Sequence, residues 1–360
     1  MPDYEVLQVE SQTGDVVASL PVTGITYSEV LNEAGSASVA MPLDEADPAT
    51  LQPAQSALVV VRDGEPVWGG PVWTTSADLA AGTLTLNASG WFSYYKACYL
   101  ASVGVSGGAI PKPVLRGYKG RKDRALMIRD WLEAANDNGG IGTDVAEIFT
   151  WRKIRSREWG FSEFKNTAEA ITELADEEDG FNFSFDTVWR GTDRVRNVFR
   201  HYPRLSAKFP TLTHLKNAEI SRVDYDGSRL AHRAFVFGAD MGTGSKPYQV
   251  AHNPINAPTL TQVATFSDLK RTSELTPKAK ALALVGKRVI AMPTLTLYPE
   301  FGALSDFRPG RYGFVKASSG YVRLSDDYVI TERAVSVNEN GSELVSLALA
   351  SKEVFQNDGA

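Results

Sequence analysis

The sequence predicts a β-rich α+β protein. It should hold two antiparallel, barrel-like β domains, with an α/β domain inserted into the first. Three observations lead there. Residues 57–91 run as short apolar stretches broken by turn dipeptides, the pattern of a curled antiparallel sheet. Residues 96–205 change to glycine- and proline-rich loops and two helical periodicities. Residues from about 290 to 350 return to strand-like runs. The expected domains are residues 1–95 with a return over about 206–240, then 96–205, then 241–360 with one helix.

Each element has its own signal. Residues 4–10 and 16–20 flank Thr13-Gly14, and residues 25–31 and 36–41 flank Asn32-Glu33-Ala34-Gly35, giving two strand pairs. Ala46 to Gln52 can form one helical turn. Asp63-Gly64 separates two apolar runs and suits a type I′ turn, because both residues tolerate positive φ. Gly69-Gly70 interrupts the returning run, as glycine pairs do at a bulge or corner. In Thr83 to Ser89, Leu84, Leu86 and Ala88 share one face. Gly104 to Gly108 and Pro111 to Gly120 read as loop. Asp123 is placed to cap a helix running to Asn138, closed by Gly139-Gly140. A strand is expected over Ile148 to Ile154. Asn166 and Glu169 form a capping-box variant for a helix over Thr167 to Glu178, with Gly180 at its left-handed C′ position. Phe181, Phe183 and Phe185 then alternate with polar residues, and Val195 to Tyr202 returns as the hairpin partner.

Pro203 to Pro210 reads as a linker. Ile220 to Tyr225 and Arg233 to Gly238 are expected to be strands that complete the first barrel. Gly238 to Pro258 reads as a long loop. Thr276-Pro277 is expected to open a helix ending near Val285. Strands are expected over Thr294 to Tyr298, Tyr312 to Lys316, Tyr321 to Leu324, Tyr328 to Val337 and Leu344 to Ala350. Pro309-Gly310 and Asn340-Gly341 supply the turns.

Composition excludes several classes. The chain has 360 residues, enough for two or three domains. Lys and Arg total 37 against 43 Asp and Glu, a net charge of −6, which argues against a protein built to grip phosphate backbones. Cys98 is the single cysteine, so no internal disulfide can form. No apolar run approaches the roughly 18–20 residues that span a bilayer. The acidic, strand-like start MPDYEVLQVE is unlike a signal peptide, so synthesis and assembly in a cytoplasm are expected.

Five patterns invite a chemical interpretation. Gly104-Val105-Ser106-Gly107-Gly108 matches the G-x-S-x-G nucleophile elbow, which needs a strand before the serine and a helix after it. Residues 97–103 make a poor strand, and Pro111 and Pro113 oppose the helix, so a flexible loop is preferred. Glu173, Asp176, Glu177, Glu178 and Asp179 form an acidic knot with no EF-hand spacing, better suited to a solvated helix end than to a metal. His201, His214, His232 and His252 lack metal-ligand spacing. Gly242 to Lys246 is glycine-rich but lacks the phosphate-loop spacing. Trp151 to Trp159, WRKIRSREW, mixes basic and aromatic residues as a nucleic-acid stacking surface would, yet also as a hairpin or subunit contact would. No catalytic, cofactor-binding or metal-binding residue is assigned, and neither a membrane nor a specific nucleic acid is an expected partner.

Three passages carry a resemblance: EAGSASVAMPLDEADPATLQPAQSALVVVRDGEPVWGGPVW, AEAITELADEEDGFNFSFD, and DFRPGRYGFVK with DYVITERAVSVNENGSELVSLALA. The first ends on the V-W-G-G close of a hairpin, the second feeds a helix into a strand through Gly180, and the third places a P-G turn before a final long hairpin. In this order the chain resembles the tail hub proteins of tailed bacteriophages, also called baseplate hub or minor tail proteins. The resemblance implies a structural, non-enzymatic homotrimer at the tail tip. Its two barrel-like domains per chain would alternate around a ring that caps the hexameric tail tube. It also implies tail-tube or distal tail ring proteins, tape-measure protein, and fibre or receptor-binding proteins as partners, with no cofactor. The competing expectations are a virion-borne cell-wall or polysaccharide hydrolase and a carbohydrate-binding β module.

Overall fold

The computed structural model describes residues 2–100, 102–105, 113–177, 180–205, 207–240, 242, 245–266, 271–299 and 301–352. The chain divides into two compact units. The first holds residues 1–175, 182–202 and 334–345; the second holds 176–181, 203–333 and 346–360.

The first unit begins with seven strands: β1 (Tyr4–Glu10), β2 (Val16–Ser19), β3 (Gly24–Val30), β4 (Ser36–Pro42), β5 (Ser56–Arg62), β6 (Glu65–Asp78) and β7 (Thr83–Ser89). They pair in the order β3-β4-β7-β6-β5-β1-β2, all antiparallel. The β5–β6 turn is the one expected, with φ of 51° at Asp63 and 82° at Gly64. Gly69-Gly70 does not interrupt the chain as expected, because β6 runs unbroken for 14 residues. Its first half pairs with β5 and its second with β7, with bulges at Val60/Val61 and Val72/Thr74. The strand therefore bends by bulging, not by ending. Ala57 to Val61 on β5 are all buried, so this run is covered on both faces and cannot alternate. Residues 47–51 make the one helical turn expected, the Leu51 N–H donating to the Asp47 carbonyl at 2.9 Å and the Ala49 N–H to the Asp47 carboxylate.

Trp91 to Lys96 then form a 3-10 turn that buries Trp91, Phe92 and Tyr95. Next come β8 (Ser102–Val105), β9 (Pro113–Arg116), β10 (Tyr118–Asp123), α1 (Arg124–Asp137), β11 (Ile154–Trp159) and α2 (Thr167–Ala175), followed by β12 (Phe181–Trp189) and β13 (Val195–Pro203). Several expectations change here. β8 pairs with β9, and β10 pairs with β11, so β9 and the start of β10 replace the loop expected over 111–120, while β11 falls in a segment that reads as a hairpin or loop. The strand expected at 148–154 lies later, at β11, because β10 gives residues 154–159 a ladder while Asp123 holds 151–153 as a turn. α1 is capped as expected, with the Asp123 carboxylate accepting from Ala125 N–H at 3.0 Å. Asn166 caps α2 through Glu169 N–H at 2.8 Å. α2 stops at Ala175, so Gly180 is not its C′ residue; the Gly180 N–H instead donates to the Glu177 carbonyl. β12 and β13 form their own two-stranded sheet, as expected. Phe183 and Phe185 stack there on Phe92 and Phe199.

The second unit contains β14 (Leu212–Thr213), β15 (Ala218–Asp226), β16 (Arg233–Phe237), β17 (Tyr248–His252), β18 (Thr261–Thr265), α3 (Thr272–Val285) and β19 (Ile290–Leu297). It also holds β20 (Tyr312–Ser319), with most of β21 (Val322–Val337) and of β22 (Glu343–Ser351). Its main sheet runs β15-β19-β22-β21-β20-β14. One bridge, His214 to Ala218, links β14 and β15. The architecture is therefore β-rich and mainly antiparallel, and no described set of ladders closes into a barrel. β15 pairs with β19 and β16 with β17 and β18, rather than with strands of residues 4–89 as expected. The 238–258 loop contains β17. The 203–210 segment is not a bare linker, since Phe209 is buried beside Phe307. α3 starts at Thr272, so Pro277 lies inside the helix rather than at N1. β21 is one strand of 16 residues where two were expected. The final turn lies where Asn340-Gly341 placed it, but it spans 338–342. Asn338 Oδ1 accepts from the N–H groups of Asn340 and Ser342.

Candidate functional site

The turn after β1 and the start of β13 border a cavity of about 230 Å³ in the first unit. Gly14, at φ 75°, lets the 11–14 turn fold back. Arg194 and Arg196 sit two apart at the start of β13, and alternation puts them on one side. With Arg190 they give the wall three guanidinium groups. Arg194 pairs with Asp15 at 2.5 Å, and Arg196 pairs with Asp144. Behind them the polar interior is closely bonded. The Thr143 hydroxyl lies 2.5 Å from the Tyr95 hydroxyl and donates to Asn197 Oδ1. Asn197 Nδ2 donates to the Ile141 carbonyl at 2.9 Å. Burial pushes the Tyr95 hydroxyl well above its ordinary range, so it stays protonated.

The lining fixes what this cavity can do. Its lining residues include no His, Cys, Lys, Asp or Glu, while the Thr13 hydroxyl on that wall donates to the Glu10 carboxylate at 2.8 Å. Arginines can orient an oxyanion.

A second cluster joins α1 to β13. Asp123 Oδ2 accepts from the N–H groups of Trp151 (3.1 Å) and Lys153 (2.8 Å). The Arg124 guanidinium lies 4.7 Å from the Trp151 ring, and the same ring lies 4.7 Å from His201. Phe149 N–H donates to His201 Nε2 at 3.2 Å. Burial first, then the Arg124 cation, pushes His201 down to about 4, against a smaller opposing pull from Asp123. The folded protein thus keeps this imidazole neutral where the unfolded chain protonates near 6.5. Its contribution is complete above pH 6.5 and falls away as pH drops toward 4. Allowing for its partial exposure, about 1–2 kcal/mol of stability should be lost over that window. His201→Gln, whose oxygen can still accept from Phe149, should flatten that part of the curve. Urea melts between pH 7 and 4 check this, and an unchanged slope would assign the effect elsewhere.

The other sequence candidates fall apart as sites. Ser106 lies outside the described residues, and β8, which precedes it, is a strand after all. Glu173 pairs with Lys165, which also binds Glu169; Glu178 and Asp179 lie outside the described residues. His214 accepts from Ile220 N–H, His232 lies between Ile255 and Leu260 backbone groups, and His252 is exposed on β17. Gly242 N–H donates to Asp240, while Thr243 and Gly244 lie outside the described residues. Among the described residues no three His, Cys, Asp or Glu side chains gather to hold a metal. Within WRKIRSREW, Trp159 packs on Trp131 and Tyr118 while Trp151 packs on Arg124 and His201. Both rings serve the fold instead of a stacking surface. Burial raises the Cys98 thiol, which lies 3.6 Å from the Tyr94 carbonyl. The arginine wall had a faint sequence signal, the i, i+2 spacing of Arg194 and Arg196; Ser11 and Trp91 had none.

No protein-family model and no curated protein matches the chain. Solved structures do. A tail protein from Neisseria meningitidis superposes with a TM-score of 0.62 at 14% identity, over 99% of both chains. The 43 kDa tail protein of prophage MuSo2 from Shewanella oneidensis also gives 0.62 at 14%, over 98% of this chain and 99% of that one. Prophage tail protein gp18 from Listeria monocytogenes gives 0.53 at 11%, over 96% and 94%. The chain has the fold of phage tail proteins.

Proposed function

We propose that this chain is a structural component of a phage tail tip: a trimeric hub that caps the hexameric tail tube and anchors fibre or receptor-binding proteins. The observation that carries this is the end-to-end match to tail proteins, over 99% and 98% of this chain and 99% of each of those chains. A sixfold tube must end on six similar docking surfaces, and a trimer presents them if each chain contributes two similar β units. The chain carries an antiparallel sheet in each of its two units. A closed ring also covers sheet edges that would otherwise aggregate. Each interface should bury on the order of 2,000 Å². The test is a map of assembled tails. Three copies at the tail tip are expected, with the two β units alternating around the axis. Six copies, or a position along the tube or on the capsid, would refute the proposal. A monomer in dilute solution would not, since assembly depends on concentration and neighbours.

A further inference from the structure

The cavity of the first unit brings three guanidinium groups to a space of about 230 Å³, all from residues of that unit. Arg190 and Arg194 close the turn between β12 and β13, the Arg190 N–H donating to the Arg194 carbonyl at 2.7 Å. Arg194 gives its Nε to Asp15, and Arg196 gives one Nη to Asp144. Each ion pair occupies one nitrogen of a guanidinium fork that has further N–H donors to offer. The other nitrogens of both forks, and the whole Arg190 guanidinium, have no partner among the described residues. Glu10, Asp15, Asp144 and Asp193 flank this wall, but none of them lines it.

A second observation points the same way. Ser11 lines the cavity and is 4% exposed, yet its Oγ has no hydrogen-bond partner among the described residues. Buried hydroxyls are normally bonded, so this one calls for a partner that the fold itself does not supply. The wall is also held in place. The Val195 N–H donates to the Gly14 carbonyl at 2.8 Å and the Val16 N–H to the Asp193 carbonyl at 2.9 Å, which fixes the turn after β1 against the start of β13. Size and charge then select the occupant. The space is smaller than the roughly 300–1,000 Å³ clefts that take drug-sized molecules, so the ligand is small. A single guanidinium fork satisfies both oxygens of a carboxylate, whereas three forks and a hydroxyl suit an anion with more acceptors and more charge. We propose that this cavity is a phosphate site, holding an inorganic phosphate ion or the phosphoryl group of a small monoester. The bound anion ties the turn after β1 to the start of β13, and so the first sheet to the β12–β13 pair. It does so whether or not the chain forms the ring proposed above.

The experiment titrates inorganic phosphate into the full chain by calorimetry in a chloride buffer, and repeats the titration with glycerol 3-phosphate and with acetate. Saturable binding of one phosphate per chain is expected, with a Kd below about 1 mM. Arg190→Gln should weaken it about tenfold and leave the phosphate-free melting temperature where it is, since Arg190 has no ion pair to lose. Ser11→Ala should also weaken it, without lowering the phosphate-free melting temperature, because it removes a hydroxyl that has no partner. Glycerol 3-phosphate binding as tightly as phosphate would support a monoester as the natural source, and weaker binding would support the free ion. No saturable phosphate binding to the wild type would overturn the proposal. So would acetate binding as tightly as phosphate, or an affinity within about twofold of wild type in either variant.

Discussion

Gly70→Ala is expected to destabilise the first unit by about 3 kcal/mol or more, enough to unfold a marginal domain. A Cβ at position 70 would lie 2.0 Å from the Ser89 carbonyl oxygen and 2.6 Å from the Gly90 Cα. Both obstacles are backbone, so no side chain can swing aside. Neither strand can step back: β6 is tied to β5 through the Leu58–Gly70 pair and, beyond the bulge, to β7. Gly82→Ala is the control. Gly82 lies in the turn between β6 and β7, at φ 65°, and its Cβ would meet nothing within 4 Å. Only the left-handed backbone penalty remains there, about 1 kcal/mol. Urea denaturation of the two variants should separate them clearly. A Gly70→Ala melt within about 1 kcal/mol of wild type would mean that β6 does not pass against Ser89-Gly90.

That position shows where the sequence was legible and where it was not. Gly69-Gly70 stood out as a special place, but the pair reads the same whether a strand ends, bulges or is crossed closely by another segment. The deciding partner, Ser89-Gly90, lies about twenty residues away, and distance in sequence hides it. Local chemistry was read well. The Asp63-Gly64 turn and the caps Asp123 and Asn166 depend on a few adjacent residues, and all three stand as expected. Strands that need a partner to exist were read poorly. β11 is polar at every position between Ile154 and Trp159, with five charged residues in WRKIRSREW ahead of its last tryptophan, and becomes a strand because β10 offers it a ladder. Proline favours N1 and so points to a helix start at Pro277, but tertiary packing of Leu275 into the α3 core carries the helix one turn earlier. The β15–β19 pairing joins segments about seventy residues apart, and nothing in either strand names the other. The cavity wall left only the faint i, i+2 signal of Arg194 and Arg196 for the same reason, being assembled from residues near 11, 91, 141 and 194.

Asp123→Ala should cost about 3 kcal/mol, well above the roughly 1 kcal/mol of an ordinary helix cap. The sequence announced only the cap. The structure gives the same carboxylate a second duty, because Oδ1 accepts from Ala125 N–H while Oδ2 accepts from Trp151 and Lys153 N–H. Asp123 is 8% exposed, so removing it strands three donors with little water to replace it. The loss should also spread. Residues 151–153 hold Trp151 against Arg124 and His201, so freeing their backbone loosens that stack and wets the imidazole. Loss of the Asp123 charge removes the smaller pull that raises His201, but wetting relieves burial, the larger cause of the downshift, so His201 should titrate nearer its ordinary value and the pH slope between 6.5 and 4 should shrink in the Asp123→Ala protein as it does in His201→Gln. Asp123→Ser separates the two duties, since a serine hydroxyl can cap α1 but cannot also reach both loop N–H groups. It should recover about 1 kcal/mol of the loss and leave the pH slope shallow. If Asp123→Ser instead restores full stability and the wild-type slope, the bonds to Trp151 and Lys153 contribute nothing, and the tie between α1 and the 151–153 turn must be held by other contacts.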